Sequence, residues 1–238
     1  MKFVIISDIH SNIQALFRAD ETFGNYDKLI SLGDIVGYGP NPSECIDWVR
    51  KNADISLMGN HDSALCDISN SIHFNINARQ AIDINFNMIN EEQRRYLCNL
   101  PLKEEFNDIV FVHASPSKPE AWEYILGEEK IFYTLKFMKG KFLFIGHSHI
   151  PFIAEYKNGS MFIAKNTISI KPDARYLINV GSVGQPRDGD NRLSYSFFDS
   201  TRKVIEIRRF NYDYKKTQES MKGKDLPNFL IERLEHGE

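Results

Sequence analysis

The sequence predicts an α/β protein that gathers its polar residues at the C-terminal ends of its strands, and two observations carry that expectation. Five short apolar runs of strand character (KFVII, KLISL, DISLM, DIVFV and KFLFI) each lead directly into a stretch that offers a metal-type ligand. The first three runs are separated by segments of helical spacing, which call for right-handed parallel crossovers. In open α/β sheets, ligands bind in the crevice beyond the carboxyl ends of the strands. Five strands that end this way build one convergent cluster.

The elements follow in order. Residues 2–7 form a strand. Ser11 or Asn12 caps a helix running to about Phe23, with Ile13, Leu16, Phe17 and Phe23 facing inward. Residues 29–32 are the next strand, and Pro42-Ser43-Glu44 opens a helix whose apolar face holds Cys45, Ile46, Trp48 and Val49. Residues 55–58 are the third strand. Between residues 63 and 100 strand character disappears: NINARQAIDINFNMI has helical spacing, and Asn90 caps NEEQRRYLCNL before Pro101 stops it. This is a helical insertion. Strand runs then fall at 108–113, 142–145, 152–156, 161–164, 175–180, 194–199 and 203–210. Two short helices close the chain over about 213–238. There is no internal repeat.

At 238 residues and 42% apolar, the chain can bury a full core and reads as a single domain over residues 1–238. A net charge of −3 supplies no basic field, so duplex nucleic acid is not an expected partner. Cys45, Cys66 and Cys98 are odd in number and far apart, which reads as three reduced thiols in a cytosolic protein. MKFVIIS enters a strand at once and lacks the apolar stretch of a signal segment, and no run is long enough to span a bilayer. The expected location is the cytoplasm, with no membrane partner.

Each motif has its own chemistry. Asp8 and His10 lie two apart, so on an extended segment both point the same way and can grip one ion. Gly33 lets the backbone come close beside Asp34, whose two oxygens can bridge two cations. In Gly59-Asn60-His61-Asp62, Asn60 offers a neutral amide oxygen, and Asp62 can hold a ring nitrogen of His61 and fix its tautomer. His113 ends the fourth run, and His147 and His149 present two imidazoles at strand spacing. Taken singly, most of these are equally well read as turns, caps or a core histidine. Together they hold five of the seven histidines, each just after an apolar run. The donor set is nitrogen and oxygen without thiolate, which points to Mn, Fe, Co, Ni or Zn.

The ordered set DIH, GD, GNHD, VH and GHSH resembles the calcineurin-like metallophosphoesterase superfamily over at least residues 1–150. The resemblance implies a four-layer α/β/β/α sandwich with two divalent metal ions at the strand ends. By position, Asp8, His10 and His149 would hold one ion, Asn60, His113 and His147 the other, and Asp34 would bridge both. His61 would be the catalytic histidine and Asp62 its supporting acid. The implied chemistry is in-line attack on phosphorus by hydroxide generated between the cations, with His61 protonating the leaving oxygen.

The protein serine/threonine phosphatases, and the symmetrical diadenosine tetraphosphate hydrolases allied to them, continue with Asp-Arg-Gly and read GNHE. This chain reads GDIVGYGPNPSE and GNHD, so their phosphate-clamping arginine is missing. It is more similar to small prokaryotic phosphodiesterase-like members, especially in GYGPNP, AWEYI and NVGSVGQPRDGD. The implied substrate is a small phosphorylated molecule, nucleotides included, cleaved at a diester or anhydride. A phosphomonoesterase or protein phosphatase, and a non-catalytic metal-binding scaffold, stay as alternatives. Arg187, in a Gly-rich turn, is the candidate substrate contact, or else an exposed partner of Asp188. The insertion could cover the metal mouth and bring His73, Asn75, Arg79 or Tyr38 to the substrate.

Overall fold

The computed structural model describes all 238 residues. Its first part runs β1 (Lys2–Ile6), α1 (Ile13–Asp20), β2 (Lys28–Ser31), α2 (Pro42–Asn52), β3 (Ile55–Ser56), α3 (Asn60–Cys66), α4 (Ile76–Phe86) and α5 (Glu91–Cys98). Next come β4 (Lys103–Phe106), β5 (Ile109–Val112), α6 (Glu128–Phe137), β6 (Phe142–Ile145), β7 (Phe152–Lys157) and β8 (Ser160–Ala164). The chain ends with β9 (Thr167–Ser169), β10 (Arg175–Asn179), β11 (Leu193–Asp199), β12 (Val204–Phe210), α7 (Tyr214–Lys222) and α8 (Asn228–His236).

Two six-stranded sheets result, ordered β3-β2-β1-β11-β12-β9 and β4-β5-β6-β10-β7-β8. β1, β2 and β3 are parallel, as the helical crossovers require, and so are β5, β6 and β10. Alternate strand residues face opposite sides. Phe3 and Ile5 therefore join Phe111, Phe144, Tyr176 and Phe198 in a core between the sheets. Val4 and Ile6 point the other way, to Leu16 of α1 and Val49 of α2. On the far side, Val110, Val112, Leu143 and Ile145 pack against Ile131 and Leu135 of α6. The molecule is the four-layer sandwich, and the apolar runs are unbroken because both sheet faces are covered.

Several local expectations change. α1 ends at Asp20, and Phe17 lies 51% exposed while Phe23, beyond the helix, is buried. The third strand keeps only Ile55 and Ser56, because the chain leaves the sheet and the Met58 amide donates to the Pro101 carbonyl instead. β4 carries the sequence KEEF, which shows no apolar run because this edge strand is largely exposed. α6 and β9 were not expected.

The insertion is helical, as its spacing requires. Asn75 caps α4 by accepting from the Ala78 amide, and Asn90 and Gln93 cap α5 reciprocally. Cys66 and Cys98 form a disulfide, with Cα atoms 5.4 Å apart, and Cys45 alone is a buried thiol. The expectation of three reduced thiols is thus corrected: α3 packs on α5 and joins cysteines that are 32 apart in sequence. The terminal helices cover the insertion, as Met221, Leu226 and Leu230 pack with Ala78, Ala81 and Tyr38. No helix is long and apolar enough to cross a membrane.

Candidate metal centre and active site

All seven candidate ligands are buried beyond the ends of β1, β2, β3, β5 and β6. Asp8, His10, Asp34, His147 and His149 all have φ between 48° and 64°. Non-glycine residues seldom occupy that left-handed region, and clusters of them mark sites where neighbouring structure holds the backbone in place. Here the bracing is visible. The His147 amide donates to Asp8 Oδ2 at 3.0 Å, and the His61 amide donates to Asp34 Oδ1 at 2.8 Å. A Cβ at Gly59 would overlap Asp34 Oδ1, and one at Gly146 would overlap Ser7 and Asp8, so neither glycine can gain a side chain without displacing a carboxylate.

The histidine tautomers then follow. Nδ1 of His10 faces the Val36 carbonyl at 3.0 Å, and Nδ1 of His149 faces the Gln185 carbonyl. Each Nδ1 must carry its proton to make that bond, which leaves Nε2 as a bare lone pair. Those two lone pairs face each other at 3.1 Å. Asp8 Oδ1 stands 3.1 Å from the His149 nitrogen and 3.7 Å from that of His10, with Asp34 Oδ2 at 3.6 Å from His10. Acceptors that converge without a donor are costly unless a cation or protons lie between them.

A second group repeats the pattern on the other side of Asp34. Nδ1 of His113 donates to the Leu32 carbonyl at 3.2 Å, and its Nε2 faces Asn60 Oδ1 at 3.2 Å and Asp34 Oδ2 at 3.3 Å. His147 contributes a buried Nε2 with no partner, and Asp8 Oδ1 likewise has no hydrogen bond. Asp8, His10, Asp34 and His149 thus form one group with metal-ligand spacing, and Asp34, His113 and His147 a second. Asp34 belongs to both. These orphaned lone pairs, drawn from two carboxylates, an amide and four imidazoles, fit hard-to-intermediate divalent cations.

Without a cation, the charges settle by burial and proximity. Burial works to raise the Asp34 carboxyl, but His113 and His61 outweigh it and hold it far below the usual carboxylate range. Asp8 behaves likewise: burial is opposed and overcome by His149 and His10. Burial would lower His113, yet the Asp34 charge and hydrogen bond push it up to about 9. Burial, then His113, takes His147 down to about 4, and burial, then Arg187, takes His149 down to about 3. His61 is pushed well down, chiefly by burial. Metal-free protein therefore keeps a proton on His113, in the place a cation would fill.

Asp62 does not do what its position suggested. Its Oδ1 accepts the amides of Ile35 and Val36 at 3.0 and 3.2 Å, and its Oδ2 accepts that of Gly59 at 3.0 Å. His61 Nδ1 has no partner. The expected Asp62–His61 bond is corrected: at the start of α3 the Asp62 carboxylate reaches backbone amides, clamping the Asp34 loop to the Asn60 loop. Burial, then the Asp34 charge, raises it to about 7. The His61 ring is instead held by packing, 4.4 Å from Tyr38, 4.6 Å from Phe74 and 4.8 Å from His10 between centroids.

Arg187 is not paired with Asp188, which bonds Arg209. Its guanidinium donates twice to Gln185 Oε1 and lies 5.3 Å from the Tyr38 ring. A cleft of about 290 Å³ opens beside the cluster, and Arg187, Tyr38, His73 and Asn75 line it, whereas Arg79 does not. Asn70, Phe74, Trp122 and Tyr124 also line it and were not anticipated as site residues. The AWEYI segment divides its apolar side chains: Ile125 enters the core under α6, while Trp122 and Tyr124 stay outside it.

Comparison with known proteins places the whole chain in a family. Residues 1–203 match the model of the calcineurin-like phosphoesterase superfamily domain. The uncharacterized protein MJ0912 of Methanocaldococcus jannaschii is 41% identical over 236 residues, covering 97% of this chain and 96% of its own length. A metallophosphoesterase crystal structure from Sphaerobacter thermophilus superposes with a TM-score of 0.90 at 36% identity, covering 100% of this chain and 99% of that one. The hypothetical protein PH1004 of Pyrococcus horikoshii OT3 shares the fold, with a TM-score of 0.83 at 19% identity and 100% and 98% coverage. The chain belongs to the calcineurin-like phosphoesterase superfamily.

Proposed function

We propose that the protein is a binuclear-metal phosphoesterase that hydrolyses phosphodiesters or nucleotide phosphoanhydrides. The observation that carries the reading is the pair of lone-pair clusters that share Asp34. In this reading Asp8, His10 and His149 hold one cation, Asn60, His113 and His147 hold the other, and Asp34 serves both. When bound, divalent cations at such a site acidify water and draw charge from the phosphoryl oxygens.

The remaining chemistry belongs to the chain. His61 is buried and packed by rings, its Nδ1 has no protein partner, and its backbone is tied to Asp34. It is assigned to give a proton or hydrogen bond to the leaving oxygen. Asp62 positions the two loops through three amides, which makes it a positioning residue. Arg187 retains Nη1 free of Gln185 and meets a non-bridging phosphoryl oxygen. Apart from histidines it is the only cationic side chain on the cleft, which suits the single charge of a diester better than a monoester dianion.

Hydrolysis of bis-p-nitrophenyl phosphate, p-nitrophenyl phosphate, dinucleoside polyphosphates and a phosphoserine peptide tests this, with several divalent metals. Diester or anhydride turnover is expected to exceed peptide turnover. Arg187→Ala should raise KM or lower kcat with metal content unchanged. Efficient peptide turnover, with no diesterase or anhydride activity, contradicts the reading.

A further inference from the structure

The cleft beside the ligand cluster has two aromatic walls. Tyr38 and Phe74 stand against His61, at 4.4 and 4.6 Å between ring centroids. Trp122 stands 5.9 Å from His113, and Tyr124 stacks on His147 at 4.0 Å with only 19° between the planes. One wall thus belongs to the His61 side and the other to the second ligand group. Neither Trp122 nor Tyr124 is buried in the core. Rings left half-exposed beside a charged site are placed for a flat ligand.

The polar groups at the mouth are equally specific. Asn70 spends its Nδ2 on Ser63, and Asn75 spends its Oδ1 on the Ala78 amide. That leaves an acceptor, Asn70 Oδ1, and a donor, Asn75 Nδ2, on the same cleft. A donor and an acceptor on one cleft suit the edge of a heterocyclic base, while the rings accept its face. The cleft volume of about 290 Å³ lies at the low end of small-molecule sites. With Arg187 its only guanidinium and no lysine, it lacks the charge for a chain of phosphates.

We propose that this recess is a nucleobase site, and that the substrate is a nucleoside diester with a single phosphorus. The base packs against Phe74 and Trp122, its edge is read by Asn70 and Asn75, and the phosphorus lies over the Asp34 cluster. The substrate identity rests on the phosphoesterase reading above, whereas the base site can be tested by binding alone.

The test is equilibrium binding of adenosine 5′-monophosphate and ribose 5-phosphate to manganese-supplied protein, followed by calorimetry and tryptophan fluorescence. The base should tighten binding at least about fivefold, since stacking is worth roughly 5- to 150-fold per base. Phe74→Ala and Trp122→Ala should erase that advantage, and Trp122→Phe should keep most of it. Asn75→Asp keeps the helix cap and removes the donor, so adenosine 5′-monophosphate should weaken more than ribose 5-phosphate, on which only the added charge acts. Equal binding of the two ligands within twofold, or equal losses for both in Phe74→Ala, would overturn the base site. Bis-p-nitrophenyl phosphate hydrolysis on the same preparation separates the two ideas. Hydrolysis without a base advantage sinks the base site and leaves the hydrolase reading. A base advantage without hydrolysis under any metal does the reverse.

Discussion

Asn85 connects the helical insertion to the candidate active site, and replacing it tests whether that connection matters. It is completely buried on α4. Its Oδ1 accepts from Ser11 Oγ at 2.7 Å and from the Gly37 amide at 2.8 Å, while its Nδ2 donates to the Gly39 carbonyl at 3.0 Å. The segment it grips holds Tyr38, and Gly37 packs so closely on the His61 ring that a Cβ there would collide with it. In Asn85→Ala the Ser11 hydroxyl can rotate to another acceptor, but the Gly37 amide and Gly39 carbonyl cannot. Each orphaned buried group costs about 1–3 kcal/mol, so the loss should be about 2–6 kcal/mol. With a urea m-value of about 3 kcal/mol/M, a 4 kcal/mol loss lowers the midpoint by about 1.3 M. Asn85→Asp keeps the acceptor and should restore the Gly37 contact, leaving two acceptors opposed at Gly39. Urea unfolding followed by circular dichroism reads the midpoint, and an unchanged m-value shows that the same transition is compared. A loss below about 1 kcal/mol in Asn85→Ala would refute the argument that these bonds brace the loop.

Three further outcomes are expected. His61→Ala should retain metal and lose about 10²–10⁴-fold in rate, with a smaller loss on p-nitrophenyl esters than on alkyl esters; equal losses would place His61 elsewhere in the reaction. His113, held up to about 9 by Asp34 after overcoming burial, is protonated at pH 7 in metal-free protein and must be neutral to ligate, so metal binding should release a proton and tighten as pH rises toward 9. Calorimetry in buffers of different ionisation enthalpy reads that release, and binding with no proton exchange at pH 7 counts against it. Cys66→Ser should lower stability by roughly 3–4 kcal/mol, from the closure of a loop of this length, with the same loss on reduction of the native protein; no response to reductant would mean that the bridge is absent in solution.

The parts of the fold that the sequence made legible are those whose environment leaves a periodic mark. β1, β5 and β6 lie in covered sheets, so VII, VFV and FLFI are apolar throughout, and the candidate ligands at their ends stand out against them. β4 leaves no such mark, because an exposed edge strand can be KEEF. Asp34 and His149 were identifiable by residue type and position, although the backbone turn that aims them is not encoded by any glycine at those sites. Asp62 was assigned to the wrong partner because adjacency in sequence suggested His61, while the turn into α3 sends its carboxylate to three backbone amides. The disulfide depends on how α3 lies against α5, which no local pattern records. Phe74, Trp122 and Tyr124 sit outside any strand, where spacing carries no information about which way a ring points.

The central claim is that two cations share the Asp34 carboxylate. Crystals grown with manganese, with anomalous diffraction measured above the manganese edge, test it most directly. Two peaks are expected about 3.5–4 Å apart, one among Asp8, His10 and His149 and one among Asn60, His113 and His147, with Asp34 touching both. Crystals of Asp34→Ala should lose one or both peaks. A single peak in the native protein, or ions held by residues outside these seven, would contradict the account.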